Sequence, residues 1–391
     1  KSGDGKDDPT DPEVREPDPP DPDLTTTDSV ATRWKFLYTG DDPAQRDVDP
    51  TAIDADRVST FHGTVVDRDG TPLSGVTVRV DDRPEFGYTA TRDDGRYDML
   101  VNGGGRVTLE FAKQGYLPVQ RSVNLGWNRE TTVDEVALVQ FSGAGTDIEM
   151  NADTMQVVEG TQVTDDDGTR QAVVIVPPKT TAMRTDDGTA AQSLTVRTAE
   201  YTVGERGPAA MPGELPPSVA YTYATEFFAE LPGGSGSGSG GGTGGQAFIG
   251  AGSEGDVQFD QSVIFYLENF LGFPVGTAVP VGSYDRDASR WVPSDDGIVL
   301  KILRIEGGRA VLDLTGDGSA ADPTTLREAG ISVAERSELA DRYTAGQELW
   351  RTPLPHFTPW DCNWASQFPP GSELPPNIDP RGPPGNPFPC N

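Results

Sequence analysis

The residues best spaced to do chemistry lie between Asp313 and Asp322. Asp313-Leu-Thr-Gly-Asp-Gly318 sets oxygen-bearing side chains at alternate positions, Asp313, Thr315 and Asp317, with glycines where a chain must bend sharply, and Asp322 follows. Calcium is held by oxygen ligands in loops of this kind. The twelfth position, where a closing Glu belongs, is Thr324. The segment therefore reads either as the first half of a calcium site or as an acidic turn joining a strand to a helix. Only two histidines occur, His62 and His356, in different expected domains, so no single fold holds a two-histidine metal site. His62 sits in an opening strand as a surface or edge imidazole. His356 stands two residues before a hydroxyl, in His356-Phe-Thr-Pro359.

The two cysteines, Cys362 and Cys390, exclude a four-thiolate zinc site and a dense disulfide framework. One bridge between them, or two free thiols, remains. There is no phosphate-binding Gly-x-x-x-x-Gly-Lys-Ser/Thr, no dinucleotide fingerprint ahead of a helix and no Gly-x-Ser-x-Gly elbow. The glycines at Asn102–Gly105 and Gly233–Gly245 lack the strand-to-helix setting that phosphate cradles need. No enzyme class has its usual anchor here.

The elements that must position these residues are strands. Gly and Pro, 46 and 34 of 391 residues, argue for many turns and few long helices. Sixty-two acidic against 31 basic residues give a formal charge of −31, which repels nucleic acid and anionic membranes. No apolar run reaches the length of a membrane-spanning helix. The chain opens at Lys1 without Met or a charged-then-apolar leader, as expected of a mature secreted chain or an excised segment.

Residues 1–28 are acidic and proline-rich with almost nothing to bury, and read as a disordered leader. Residues 29–58, with Trp34-Lys-Phe-Leu-Tyr38, form an extended strap. From 59 to 141, short alternating runs such as Gly75–Val80 and Arg96–Val101 are divided by turns at Asp69-Gly70, Asp93-Asp-Gly95 and Asn102–Gly105. The spacing predicts a seven-strand β-sandwich. Residues 145–368 carry further strand-like runs, among them Gln171–Val176, Leu194–Val203, Ser218–Phe228, Ser262–Leu267 and Ile298–Glu306, and form a second β-sandwich region. One short helix is expected at Ser332–Tyr343, where Ser332 and Glu335 have capping-box spacing. The Gly/Ser tract at 232–246 reads as a floppy hairpin excursion, and 369–391 as a Pro-rich linker. Trp34, Tyr88, Trp127, Trp291 and Trp350 are the expected anchors of the cores or of the seam between them.

A resemblance adds to this reading. Gly63-x-Val-x-Asp-x-Asp-Gly-x-Pro-Leu-x-Gly-Val76 resembles the transthyretin-like, or carboxypeptidase regulatory-like, domain. Glu85–Asp98, Asn102-Gly-Gly-Gly105 and Trp127-Asn128 are similar to the version that precedes the plug and YD-repeat shell of teneurins and bacterial Rhs proteins. The region after it resembles the corresponding part of bacterial Rhs proteins and, more loosely, a ZU5-like sandwich. The resemblance implies a secreted or cell-surface, non-catalytic module that caps or plugs a downstream YD-repeat shell, in a toxin or surface protein. An extracellular module for adhesion, binding a cell-surface protein or a glycan, is the alternative. ZU5-like and GAIN-like domains that cut themselves carry a His two residues before a Ser or Thr. The resemblance thus implies Thr358 as nucleophile, His356 as base and a cut after Phe357, with Pro359 restricting the backbone that would have to distort.

Overall fold

The structure, a computed structural model, describes residues 14, 29–140, 145–184, 188–215, 220–230 and 257–364. The acidic leader apart from Val14, the Gly/Ser tract, the Pro-rich linker and Cys390 lie outside the described residues.

The first unit is a sandwich of two four-stranded sheets. Its strands are β1 (Val58–Asp67), β2 (Thr77–Val80), β3 (Tyr88–Ala90), β4 (Arg96–Asn102), β5 (Gly105–Ala112), β6 (Val119–Leu125), β7 (Arg129–Thr132) and β8 (Val136–Leu138). One sheet runs β4-β1-β7 with β8 also on β1; the other runs β3-β2-β5-β6. Alternation places Phe61, Tyr97 and Phe111 between the sheets, the Tyr97 ring edge-on to the other two at 6.3 and 5.5 Å. The sandwich has eight strands rather than seven. Arg129-Glu-Thr-Thr132 is polar and mostly exposed, so no apolar alternation marks β7. His62 lies in β1, between β4 and β7 rather than at an edge, its Nε2 3.0 Å from Thr132 Oγ1.

The strap corrects a sequence expectation. Residues Val30–Trp34 form a short helix α1, because Ser29 Oγ accepts the Thr32 N–H as an N-cap, and Lys35–Leu37 continue as a 3-10 turn. Leu37 is buried against Val58 and Leu100. Farther on, Arg46 and Tyr88 exchange backbone hydrogen bonds of 2.8 and 3.0 Å. Gly87, at φ 62°, makes that approach possible: a Cβ there would lie 1.7 Å from the Arg46 carbonyl oxygen.

The second unit contains β9 (Thr146–Glu149), β10 (Gln156–Glu159), the hairpin β11 (Val163–Asp165) and β12 (Gly168–Arg170), β13 (Val173–Val176), β14 (Ala182–Arg184), β15 (Ala190–Ala191) and β16 (Ser193–Glu200). Then come helix α2 (Gly207–Ala210), β17 (Ala224–Glu230), β18 (Val257–Glu268), β19 (Ala278–Val279), β20 (Gly282–Asp285), β21 (Arg290–Pro293), β22 (Gly297–Glu306) and β23 (Arg309–Asp313). Helices α3 (Pro323–Glu328) and α4 (Val333–Arg342) and strands β24 (Glu348–His356) and β25 (Pro359–Asp361) complete it. A six-stranded sheet, β21-β20-β25-β17-β16-β9, faces a nine-stranded one whose central order is β13-β18-β24-β22. Strands β17 and β18, on either side of the Gly/Ser tract, belong to different sheets.

The central strands of both sheets are buried on two faces, and β13 accordingly reads as a continuous apolar run. In Val173-Val-Ile-Val176, Val174 and Val176 enter the core between the sheets, while Val173 and Ile175 enter another beneath α3 and α4. Strand β17 divides likewise: Phe227 faces the inter-sheet core and Phe228 faces the first sandwich. The molecule is therefore a stack, with the first sandwich, the six-stranded sheet, the nine-stranded sheet and the helices in that order.

Helix α4 begins where expected, its Ser332–Glu335 capping box closed from both sides. Val333, however, is 57% exposed, and Leu339 and Tyr343 carry the packing. It is not the only helix: α3 is capped by Asp322. Among the aromatics, Trp350 is fully buried and Trp291 packs at the seam, but Trp127 is 59% exposed. Trp127 lies in the turn between β6 and β7 under the Arg57 guanidinium, 5.9 Å from its ring, and anchors no core.

Candidate functional site

Strand β24 is long and central, paired with β18 on one side and β22 on the other. It stops at His356, and three residues on β25 already belongs to the opposite sheet. The chain changes sheets across Phe357-Thr358. Phe357 supplies the reason: its ring is driven into the inter-sheet core, 4.9 Å from Phe259 and 6.1 Å from Phe227 between centroids.

Around that corner, Thr358 Oγ1 is 3.4 Å from His356 Nδ1 and 3.4 Å from the Pro359 carbonyl. Thr358 is buried, and the His356 ring stacks on Trp360 at 5.0 Å. Burial pushes the His356 imidazole below its ordinary value, favouring its neutral form. Neither Phe357 nor Thr358 has a left-handed φ. The arrangement is a shielded hydroxyl beside an imidazole, at a trans peptide without a left-handed φ on either side.

The Asp313 segment assembles differently. Asp313 Oδ1 accepts the N–H groups of Thr315 and Gly316 at 2.9 and 2.8 Å, and Oδ2 accepts that of Gly318 at 2.9 Å. These bonds hold its carboxyl below the usual range although burial pushes the other way. Thr315 Oγ1 lies 3.3 Å from Asp313 Oδ1, and Asp317 accepts the Ser319 N–H. Asp322 serves as the N-cap of α3, accepting from Thr324 and Thr325. Each carboxylate thus has donors from its own stretch of backbone. Among the described residues no group of three or more His, Cys, Asp or Glu is placed to hold a metal. Cys362 is buried in the inter-sheet core, and burial pushes its thiol up.

The seam between the units is the polar constellation that the sequence does not reveal. Val66, Leu117, Ala137 and Val139 of the first sandwich share one apolar cluster with Tyr201, Met211 and Phe228 of the second unit. Inside it, Arg286 Nη2 donates to Glu226 at 3.0 Å, with both side chains nearly inaccessible, and the Tyr201 hydroxyl donates to the same carboxylate. Arg286 Nη1 donates to the Pro118 carbonyl at 2.8 Å, and Gln120 Nε2 returns a bond to the Arg286 carbonyl at 3.0 Å. Arg121 reaches the carbonyls of Met211 and Ala209, and burial pulls its guanidinium down to about 10. The partners come from positions between 118 and 286, so no local spacing could have disclosed the set.

With both units described, comparison with known proteins classifies the first. The fold and motifs between Ile53 and Leu138 define a transthyretin-like β-sandwich. Those residues, 53–138, match the family model of the Teneurin TTR-like domain, so the N-terminal region is teneurin-like as well as transthyretin-like. Teneurin-1 of Gallus gallus is 40% identical over 87 residues, covering 22% of this chain and 3% of its own length. Teneurin-m of Drosophila melanogaster is 37% identical over 112 residues, 29% of this chain and 4% of its own. The chain thus spans only a few per cent of the curated relatives it matches. Of the solved structures, the Streptococcal ancillary pilin aligns at 14% identity over 44% of this chain and 59% of its own, with a TM-score of 0.20, too slight to bear on fold or function. No helix among the described residues is long and apolar enough to cross a membrane.

Proposed function

We propose that this chain is a non-catalytic positioning module of a secreted or cell-surface protein of the teneurin and Rhs type, seated on a downstream YD-repeat shell. The observation that carries the reading is the seam. A flexible string of adhesion domains needs only polar, separable interfaces. Here a shared apolar core encloses a buried Arg286–Glu226 pair, which makes the two sandwiches one stiff body suited to holding a downstream shell at a fixed angle. Similarity of residues 53–138 to teneurins supports the cell-surface setting. The test is an image of the intact parent protein by electron cryomicroscopy. Both sandwiches should be seen at the mouth of a repeat shell in one fixed pose; a module that tumbles freely beside the shell, or a parent lacking one, would refute the role.

A second reading is favoured by the 3.4 Å approach of Thr358 Oγ1 to His356 Nδ1. In it, Thr358 Oγ attacks the Phe357 carbonyl carbon while His356 takes the hydroxyl proton. The C–N bond breaks, the proton passes to the departing Thr358 amine, and an ester is left that water hydrolyses to a Phe357 carboxylate and a free Thr358 hydroxyl. Intact mass under denaturing conditions decides it. Cleavage gives fragments 1–357 and 358–391, abolished in Thr358→Ala and slowed by about a hundredfold or more in His356→Ala; a single uncut species removes the reading.

A further inference from the structure

Trp127 is the largest of the apolar side chains that the described fold leaves in solvent, and three loops are fitted around it. The Gly103 N–H donates to the Arg57 carbonyl, that of Gly104 to Leu125 and that of Asn128 to Val58, each at 2.7 Å. Asn128, at φ 51°, also sends Nδ2 to the Asp56 carbonyl at 2.8 Å. Gly104 lies against the indole: a Cβ there would come within 2.1 Å of Trp127 Nε1. Above the ring stands the Arg57 guanidinium. An indole left 59% exposed adds little to folding, yet its neighbours hold it in place. A tryptophan already ordered in the free protein loses little freedom on binding, which is the property of an interface anchor.

The charges nearby say what would bind. Arg57 covers the ring, Arg129 packs over Gly126 beside it, and Arg106 lies two residues beyond Gly104. All three are exposed, and none enters an ion pair among the described residues. Asp54 and Asp56 share the loop of Arg57, while Glu130 is taken up by Arg33 and by Trp34 Nε1 at 2.8 and 2.9 Å. Three guanidiniums against two carboxylates leave this surface positive in a chain whose formal charge is −31. An exposed indole ringed by arginines suits proline rings interleaved with carboxylates.

The chain itself carries a segment of that chemistry. Glu16-Pro-Asp-Pro-Pro-Asp-Pro-Asp23 holds four carboxylates, four prolines and no basic residue. In the extended helix that prolines favour, residues three apart share a face, which pairs Pro19 with Pro22 and Asp18 with Asp21. The segment is also tethered close by. It leads into α1, whose Arg33 and Trp34 are fastened to Glu130, three residues beyond Trp127. From Asp18 to Ser29 an extended chain spans up to about 36 Å, which brings the segment within reach of the Trp127 turn. We propose that residues 16–23 of the acidic leader dock on this turn, with prolines against the indole and carboxylates on Arg57, Arg106 and Arg129. Tethering gives an effective concentration of about millimolar, so a contact too weak to hold a free peptide suffices. The proposal stands apart from the positioning role, and either can fail without the other.

The test uses the full 391-residue chain labelled with 5-fluorotryptophan, the Trp127 fluorine signal being assigned with Trp127→Phe. A neutral gadolinium chelate reads how exposed that signal is. At low salt the parent's signal should be shielded. Reversing Asp18, Asp21 and Asp23 to Lys together, which leaves both sandwiches unchanged, should raise its paramagnetic relaxation severalfold, and about 1 M salt should do the same by screening. As a second measurement, a glutamyl endopeptidase should cut after Glu16 severalfold faster in the double variant Arg57→Glu, Arg129→Glu than in the parent. Shielding that survives charge reversal and salt belongs to another occupant, and shielding lost on dilution belongs to a second copy of the chain. A Trp127 signal equally exposed in every sample has no occupant. Any of these three results overturns the proposal.

Discussion

Asp361 shows how one residue near the sheet-switching corner sets a pH dependence. Burial pushes its carboxyl up to about 6, although Asn363 Nδ2 donates to it at 2.8 Å. It fits against β20 because Gly282 has no side chain: a Cβ there would lie 2.6 Å from the carboxylate. An unfolded Asp titrates near about 3.9, so between about pH 4 and 6 the folded chain holds a proton that the unfolded chain has lost. Stability from this group is therefore full below about pH 4 and is lost as pH rises through about 6. Asp361→Asn removes the charge and keeps the shape. Urea denaturation at several pH values should find the variant about 2–3 kcal/mol more stable than the parent at pH 7 and equal to it near pH 4. Parallel curves across that range would show that the carboxyl is not strained by burial.

At the scale of the element, α4 is fastened by a group that recurs at the seam, a Tyr–Glu–Arg set. Glu335 accepts the Tyr266 hydroxyl and Arg351 Nε, each at 2.7 Å, and it also closes the helix's capping box. Arg351 then reaches the carbonyls of Ala329 and Gly330, the link between α3 and α4. Glu335→Ala should therefore cost far more than an exposed cap, about 3–5 kcal/mol, because Arg351 is left buried and unpaired. Ser332→Ala, which loses only the cap, should cost about 1 kcal/mol. Denaturant melts of the two variants check the ratio, and near-equal losses would show that Glu335 acts only as a cap. The sequence foretold this helix because capping is local, a matter of Ser332 and Glu335 three residues apart. It foretold the strand runs Val173–Val176 and Ile298–Glu306 because β-branched and apolar residues crowd there. Local reading fell short where an element is short and polar, as in α1 and β7, and where residue type does not report burial, as at exposed Trp127. His356 and Thr358 were legible as a pair through proximity in the chain, whereas Glu226 acquires meaning only when Arg286 arrives from sixty residues on.

At the scale of the whole molecule, the stacking of four layers determines how the chain should unfold. Strand β17 is the common member: Phe227 is bound into the inter-sheet core and Phe228 into the seam, one residue apart on opposite faces. Loss of either core strips one face of the same strand, so the described units should melt together. Arg286 is the place to test this, since it links the Glu226 carboxylate to the Pro118 carbonyl across the seam. Arg286→Ala leaves Glu226 buried without its counter-charge and should cost about 3–5 kcal/mol. The double variant Arg286→Met, Glu226→Leu removes both charges and should recover most of that loss. Calorimetry should give one transition for the parent chain, a teneurin-like sandwich melting separately in Arg286→Ala, and a rejoined single transition in the double variant. Two transitions already present in the parent would mean that the seam does not couple the sandwiches, and the stiffness on which the positioning role depends would be lost with it.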